Sequence, residues 1–219
     1  MKRALLSPVA IGLTLLTLLT VIGCAKAGIW QYNRGVIRHD ANAQVKSNIA
    51  LAPISETEFN ELTKKPSTLP TTQWRSVTVT GSFIPEHELL LRNRYENGKY
   101  GFGVITLFTA VGGETFWVDR GWIQAGKDAK TPPKSETTGI TQVTITARLR
   151  TNDLNNRIQG SFFAIPNDGN SELQNWDKSQ SVKTSNFSLD LLKASDQRLT
   201  PKFPNPLPEL TDGPHFAYT

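Results

Sequence analysis

The chain has 219 residues, a net charge of +5 and a pI near 9.4. Once an apolar N-terminal stretch is set aside, that length suits one compact domain. Its lysines and arginines are dispersed among acidic residues with no basic, aromatic-interleaved stripe, which speaks against nucleic acid as a partner. A single cysteine, Cys24, leaves no intrachain disulfide, no Cys-x-x-Cys redox pair and no Cys-x-x-Cys-His haem attachment.

Residues 4–25 carry no charge. At ~1.5 Å per residue they can cross the ~30 Å hydrocarbon core of a bilayer. Leucines dominate the stretch, and Thr14, Thr17 and Thr20 can satisfy their hydroxyls by bonding back to the helix. Lys2 and Arg3 precede it, which puts the N-terminus in the cytoplasm and the rest outside, although Lys26, Arg34 and Arg38 weaken the asymmetry. Membrane lipid is thus the first expected partner. A second reading stays open. Val21-Ile22-Gly23-Cys24 resembles a bacterial lipoprotein cleavage box, which would leave a β module lipid-anchored at Cys24 and binding an unrelated ligand. Against cleavage, residues 25–30 contain no polar tether and pass directly into helical spacing.

Trp30, Ile37, Ala41 and Val45 recur at helical intervals, so the anchor helix is expected to continue to about residue 48, with Gly35 a weak point and Trp30 and Arg34 at the membrane interface. Ser55 and Glu58 form a capping box that starts a short helix ending near Leu62. From residue 75 the period changes to two. Val77, Val79, Gly81 and Phe83 share one face of a strand at 75–83. Further strands are read at 88–94, 102–109 and 115–123, separated by turns at Asn97-Gly98 and Gly112-Gly113, and together they form an antiparallel meander. A lysine- and proline-rich loop at 126–139 precedes a fifth strand that turns Val143, Ile145, Ala147 and Leu149 inward. Residues 162–165 and the region of Leu199 are candidate further strands, and 187–193 a short helix. The fold class is therefore α+β, mainly β: a transmembrane helix, then an antiparallel sheet able to close as a barrel. Residues 1–28 form the anchor, 29–70 a helical connector and 71–210 an extracytoplasmic β-rich domain.

The sequence has no phosphate loop, nucleophile elbow or His-Glu-x-x-His pair, so no catalytic residue and no metal is assigned. Gly101-x-Gly103 lacks the third glycine and following helix of a dinucleotide loop and reads as a turn or strand bulge. Glu86, His87 and Glu88 would need a shared cleft to act as acid and base; following Pro85, they read as a solvated turn. Arg92, Arg94 and Arg120 stand among apolar strand residues, where an unpaired charge is costly. Two readings are open for them. Asp119 pairs with one of these arginines across neighbouring strands while the others stay in water, or the arginines form a fork for carboxylates such as haem propionates or acidic residues of a partner.

Six segments carry a resemblance to a known family. They are Gly28-Ile29-Trp30-Gln31 through Arg34, Trp74-Arg75-Ser76-Val77-Thr78-Val79-Thr80-Gly81-Ser82-Phe83, and Glu88-Leu89-Leu90-Leu91-Arg92-Asn93-Arg94. Val118-Asp119-Arg120-Gly121-Trp122, Ala147-Arg148-Leu149-Arg150 and Gly213-Pro214-His215-Phe216-Ala217-Tyr218 complete the set. In this order the chain resembles the surfeit locus protein 1 family, membrane factors that assist biogenesis of cytochrome c oxidase. The resemblance implies a non-catalytic extracytoplasmic domain in the bacterial cell membrane that helps haem a reach the catalytic subunit of the oxidase. It implies that His215 is a haem a ligand, and an imidazole is a reasonable axial ligand for haem iron. It also implies two membrane helices; residues 211–219 are expected as the start of the second, whose apolar stretch the sequence to Thr219 leaves out.

Overall fold

The computed structural model describes residues 7–126, 133, 135–139, 141–151, 172–214 and 216. They fall into two units, Met1–Lys46 with Glu209–Thr219, and Ser47–Pro208.

In the first unit helix α1 (Pro8–Ala50) begins at Ser7, whose hydroxyl accepts a hydrogen bond from the Ala10 N–H at 3.2 Å. It runs through Gly35 without a break and is long and apolar enough to cross a membrane. The Thr14, Thr17 and Thr20 hydroxyls donate to the carbonyls of Ala10, Leu13 and Leu16, each at 2.9 Å, so the apolar stretch exposes no unmet hydroxyl donor there. Farther along, Arg38 Nε donates to the Thr211 carbonyl at 2.8 Å, and His39 Nδ1 lies 2.9 Å from Asp212 Oδ2. At Gly35 an added Cβ would stand 2.8 Å from the Phe216 ring.

Among the described residues the second unit is a closed barrel of five strands. Helix α2 (Glu56–Thr63) is capped by Ser55, whose Oγ accepts from the Glu58 N–H at 3.3 Å, as the capping box predicts. The strands are β1 (Ser76–Glu96), β2 (Lys99–Ala110), β3 (Thr115–Gln124), β4 (Val143–Arg150) and β5 (Ser188–Ala194), in the order β1-β2-β3-β5-β4. Helix α3 (Glu172–Gln180) precedes β5. The expected meander holds through β1, β2 and β3, but the sheet is mixed, because β3 and β5 run parallel with Trp117, Val118 and Asp119 opposite Ser188, Leu189 and Asp190.

β1 joins two stretches expected as separate strands. Its first part pairs with β4 and its later part with β2, and both meet at Gly81, opposite Val143 and Ala110. A Cβ there would lie 2.2 Å from the Thr109 carbonyl, so only glycine fits. Glu86, His87 and Glu88, read as a turn after Pro85, lie instead within β1, where residues 85–87 bulge between Ile84 and Glu88 and Glu88 itself pairs with Thr106. Pro85 has no N–H to give to the ladder, so a bulge can absorb it without ending the strand.

Two more expectations are corrected. Residues 187–193 were expected as a helix but lie in β5 and the residue before it; Phe187, Leu189 and Leu191 are buried at strand spacing, and both edges of β5 find partners. The Leu199 region is a 3-10 turn (Gln197–Leu199), capped by Asp196, whose carboxylate accepts from the Arg198 N–H. The strand expected at 162–165 lies outside the described residues.

Val77, Val79, Phe83, Phe108, Phe116, Val118, Ile145, Leu149, Phe187 and Leu189 fill the main core, with Phe59 of α2 edge-on to Phe116 and Phe187. A second core on the outer face packs Ile105, Leu107 and Trp117 under Leu173 and Trp176 of α3. This is why β2 is buried on both faces. The Trp117 indole N–H donates to Asp177 Oδ1 at 2.8 Å, fixing α3 over that patch.

Candidate functional site

The arginines singled out from sequence lie on β1 and β3, whose pleats send consecutive side chains to opposite faces. Asp119 and Arg120 therefore take different partners. Arg120 Nη1 donates to Glu88 Oε2 at 2.9 Å and approaches Thr106 Oγ1 at 3.4 Å, and Nη2 donates to the Glu136 carbonyl at 2.6 Å. Glu88 Oε1 also accepts from the Ser135 hydroxyl at 2.5 Å. The Arg120 side chain is 5% exposed and its guanidinium stands 5.6 Å from the centre of the Phe83 ring. Burial pulls its pKa below the ordinary arginine value, against the opposing attraction of Glu88.

Asp119 pairs with Arg94, Nη2 to Oδ2, at 3.5 Å. β2 lies between their strands, and the gap is spanned over a glycine: a Cβ on Gly103 would meet the Arg94 side chain at 3.5 Å. Gly101, two residues away, lies under the Trp122 indole, which a Cβ would meet at 2.4 Å and whose N–H donates to the Arg94 carbonyl at 3.2 Å. Gly101-x-Gly103 thus belongs to a bulged strand, with a register shift after Gly103, where side chains of β1 and β3 cross β2. Asp119 Oδ1 accepts from the Gly121 N–H at 2.9 Å, with Gly121 at φ +87°. Burial raises the Asp119 pKa above the usual carboxylate range. Arg94 opposes that rise and the neighbouring Asp190 adds to it.

Asp190 brings in residues that were not among the sequence candidates. Arg150 approaches it at 3.8 Å, with side chains only 1% and 4% exposed, and the Arg150 guanidinium stacks 3.6 Å from the centre of the Trp74 ring. Asn205 Nδ2 donates to Asp190 Oδ1 at 3.2 Å, and Arg148 Nη1 donates to the Asn205 carbonyl at 2.9 Å. Arg148 and Arg150 alternate with Ala147 and Leu149, and Asp190 stands between two leucines. Charges embedded in apolar strand runs were the available signal. The β3–β5 pairing that unites them is not local in sequence.

The other sequence candidates do not join this cluster. Arg92 is exposed. Glu86 is exposed, His87 Nδ1 lies 3.2 Å from Gln180 Oε1, and Glu88 faces Arg120, so the three share no cleft. Trp30 is exposed on α1, with the Arg34 guanidinium 5.3 Å from its ring. His215 lies outside the described residues. Among the described residues no group of three metal-ligating side chains comes together. Beside Arg120 is a pocket of about 740 Å³, walled by Val104, Trp122, Leu199 and Phe203, with Lys99 and Lys202 also lining it.

As placed, the described residues do not fit a haem. Arg94 and Arg120, which could hold propionates, face protein carboxylates, and His39 and His87 each have a polar partner. What the cluster does is join β1, β3, β4 and β5 through charge-assisted contacts. Of the first reading the Asp119–arginine pair is present, but it is made by Arg94 over β2 and not between neighbouring strands, and Arg120, expected in water, is buried in a pair with Glu88.

The SURF1 family matches residues 18–219. An uncharacterized SURF1-like protein of Mycobacterium bovis is 33% identical over 121 residues, covering 55% of this chain and 44% of that protein. Uncharacterized SURF1-like proteins from two strains of Mycobacterium tuberculosis match equally. The matched segment spans less than half the length of these curated relatives. With the family match covering α1 from residue 18 onward and the whole barrel, the chain belongs to the SURF1 family.

Proposed function

We propose that this protein is a membrane-bound assembly factor for cytochrome c oxidase. It stands in the bacterial cell membrane with its N-terminus in the cytoplasm and the barrel outside, binds the catalytic subunit and assists haem a insertion without catalysing a reaction. The observation that carries this reading is the family match over residues 18–219. The apolar helix supports the anchoring, and the triplet of threonine hydroxyls turned back onto helix carbonyls supports a stretch suited to lipid. The aromatic and cationic pair Trp30 and Arg34 suits the membrane interface. For the barrel, mutual pairing of Arg94 with Asp119 and of Arg120 with Glu88 supports a rigid binding module. In this reading Arg92, exposed on β1, is left to meet acidic residues of the partner, and His215 is the haem a ligand.

The test is to tag the protein in its native host and pulse-label newly made oxidase subunits. The reading predicts that the labelled catalytic subunit co-purifies early in the chase and leaves as the oxidase matures. Equal recovery of mature oxidase at all times, or no recovery of the subunit, contradicts it.

A further inference from the structure

The pocket beside Arg120 lies within the second unit, and its volume of about 740 Å³ falls in the range of small-molecule sites, roughly 300–1,000 Å³. Local chain geometry builds its aromatic side. Gly121, at φ +87°, leaves room for the Phe203 carbonyl, which a Cβ there would meet at 2.4 Å and which accepts from the Trp122 N–H at 3.0 Å. That backbone contact sets the Phe203 ring perpendicular to the Trp122 indole, with centres 5.4 Å apart. Both residues line the pocket, Phe203 with 40% of its surface exposed and Trp122 half-buried, so aromatic surface is open to an incoming molecule. Val104 and Leu199, both buried, extend the apolar wall.

The charges around this space balance in sign. Arg120 is held by Glu88 at 2.9 Å and Arg198 by Asp196 at 2.7 Å, which leaves Lys99 and Lys202 in the lining against Glu96 and Glu136. A lining of that kind favours neither an anion nor a cation through its overall field. At Arg120 the discrimination is sharper. An incoming carboxylate would stand beside Glu88 and an incoming ammonium beside the guanidinium, so either brings like charges together where water is scarce. The guanidinium nevertheless has a donor to give. Nη1 and Nη2 have acceptors, whereas Nε is buried and has none among the described residues. A buried donor without an acceptor is rare and costly. An uncharged oxygen answers it without adding a charge.

We propose that this pocket binds an uncharged ring compound carrying a carbonyl oxygen. The ring lies against Trp122 and Phe203, where aromatic pairs gain from edge-to-face or offset contact, and the oxygen accepts a hydrogen bond from the Arg120 guanidinium. The site stands or falls independently of the assembly reading above.

The experiment uses the full chain in detergent, labelled with fluorotryptophan, and follows the fluorine resonance of Trp122, identified by its loss in Trp122→Phe. The probes are coumarin, a neutral bicyclic lactone, and its ring carboxylate derivative, which adds one negative charge to the same rings. The proposal predicts a saturable shift of the Trp122 resonance with coumarin and binding of the carboxylate weaker by about tenfold or more. Coumarin affinity should fall by about fivefold or more in Phe203→Ala and in Arg120→Lys, which keeps the charge beside Glu88 but removes the Nε–H. Phe203 is partly exposed, so its variant reads the site whether or not the Arg120 variant folds. No saturable shift at millimolar coumarin, tighter binding of the carboxylate, or unchanged coumarin affinity in Phe203→Ala or in a folded Arg120→Lys would overturn the proposal.

Discussion

Replacing Glu88 by alanine leaves Arg120 buried without its carboxylate. The guanidinium would keep the Glu136 carbonyl at 2.6 Å and the Phe83 ring but lose its 2.9 Å ion pair, and the Thr106 and Ser135 hydroxyls would lose their acceptor. Breaking a buried pair by removing one member costs about 3–5 kcal/mol. Glu88 is 25% exposed, so water reaches part of the site and the cost falls near the lower end, about 3 kcal/mol. At about 2–4 °C per kcal/mol for a protein of this size, the thermal midpoint should fall by about 6–12 °C, read by circular dichroism in detergent. Glu88→Gln keeps an acceptor and should cost less. Combining Glu88→Leu with Arg120→Met removes both charges and should return stability to within about 1 kcal/mol of wild type. A midpoint drop under about 2 °C for Glu88→Ala, or a double variant worse than the single, would refute the view that this pair is a buried charge contact inside the domain.

Gly101→Ala would force a Cβ to 2.2 Å from the Ile123 carbonyl and into the Trp122 ring, so unfolding in urea should show a loss of about 1–3 kcal/mol with an unchanged slope. Asp119 has its folded pKa raised by burial, so its neutral form is favoured in the fold. Its stabilising contribution is complete below the ordinary value of 3.8 and is lost as pH rises through the raised value. The stability of Asp119→Asn relative to wild type should therefore improve across that window, and a flat or opposite trend in paired urea titrations would count against it. His39 has its pKa raised above 6.5, first by its hydrogen bond and then by its attraction to Asp212, with Asp40 adding a smaller push. Carbon-13 NMR of labelled histidine should show the His39 titration move down toward 6.5 in Asp212→Asn, and an unmoved resonance would disprove the contact.

What could be read from the sequence was local. The Ser55 cap, the threonine triplet of α1, the Asn97-Gly98 and Gly112-Gly113 turns and the alternation of Val77, Val79, Gly81 and Phe83 each depend on residues within a few positions, and each has its expected structure. Pro85 misled because a bulge and a turn place the same demands on a proline. β5 misled because Leu191-Leu192 breaks its alternation, and its strand geometry is fixed by β3 and β4, both distant in sequence. The cluster was half legible for the same reason. Arg94, Asp119 and Arg120 stood out as charges in apolar strands, whereas Asp190 and Arg150 acquire meaning only when the barrel closes and places Asp190 beside Asp119.

The assembly role is tested most directly by the reduced-minus-oxidised visible spectrum of membranes from cells with and without this protein, comparing haem a with haem b and haem c. The account predicts a selective fall in the haem a signal on deletion, restored by the full chain. Unchanged haem a with normal oxidase activity would contradict it.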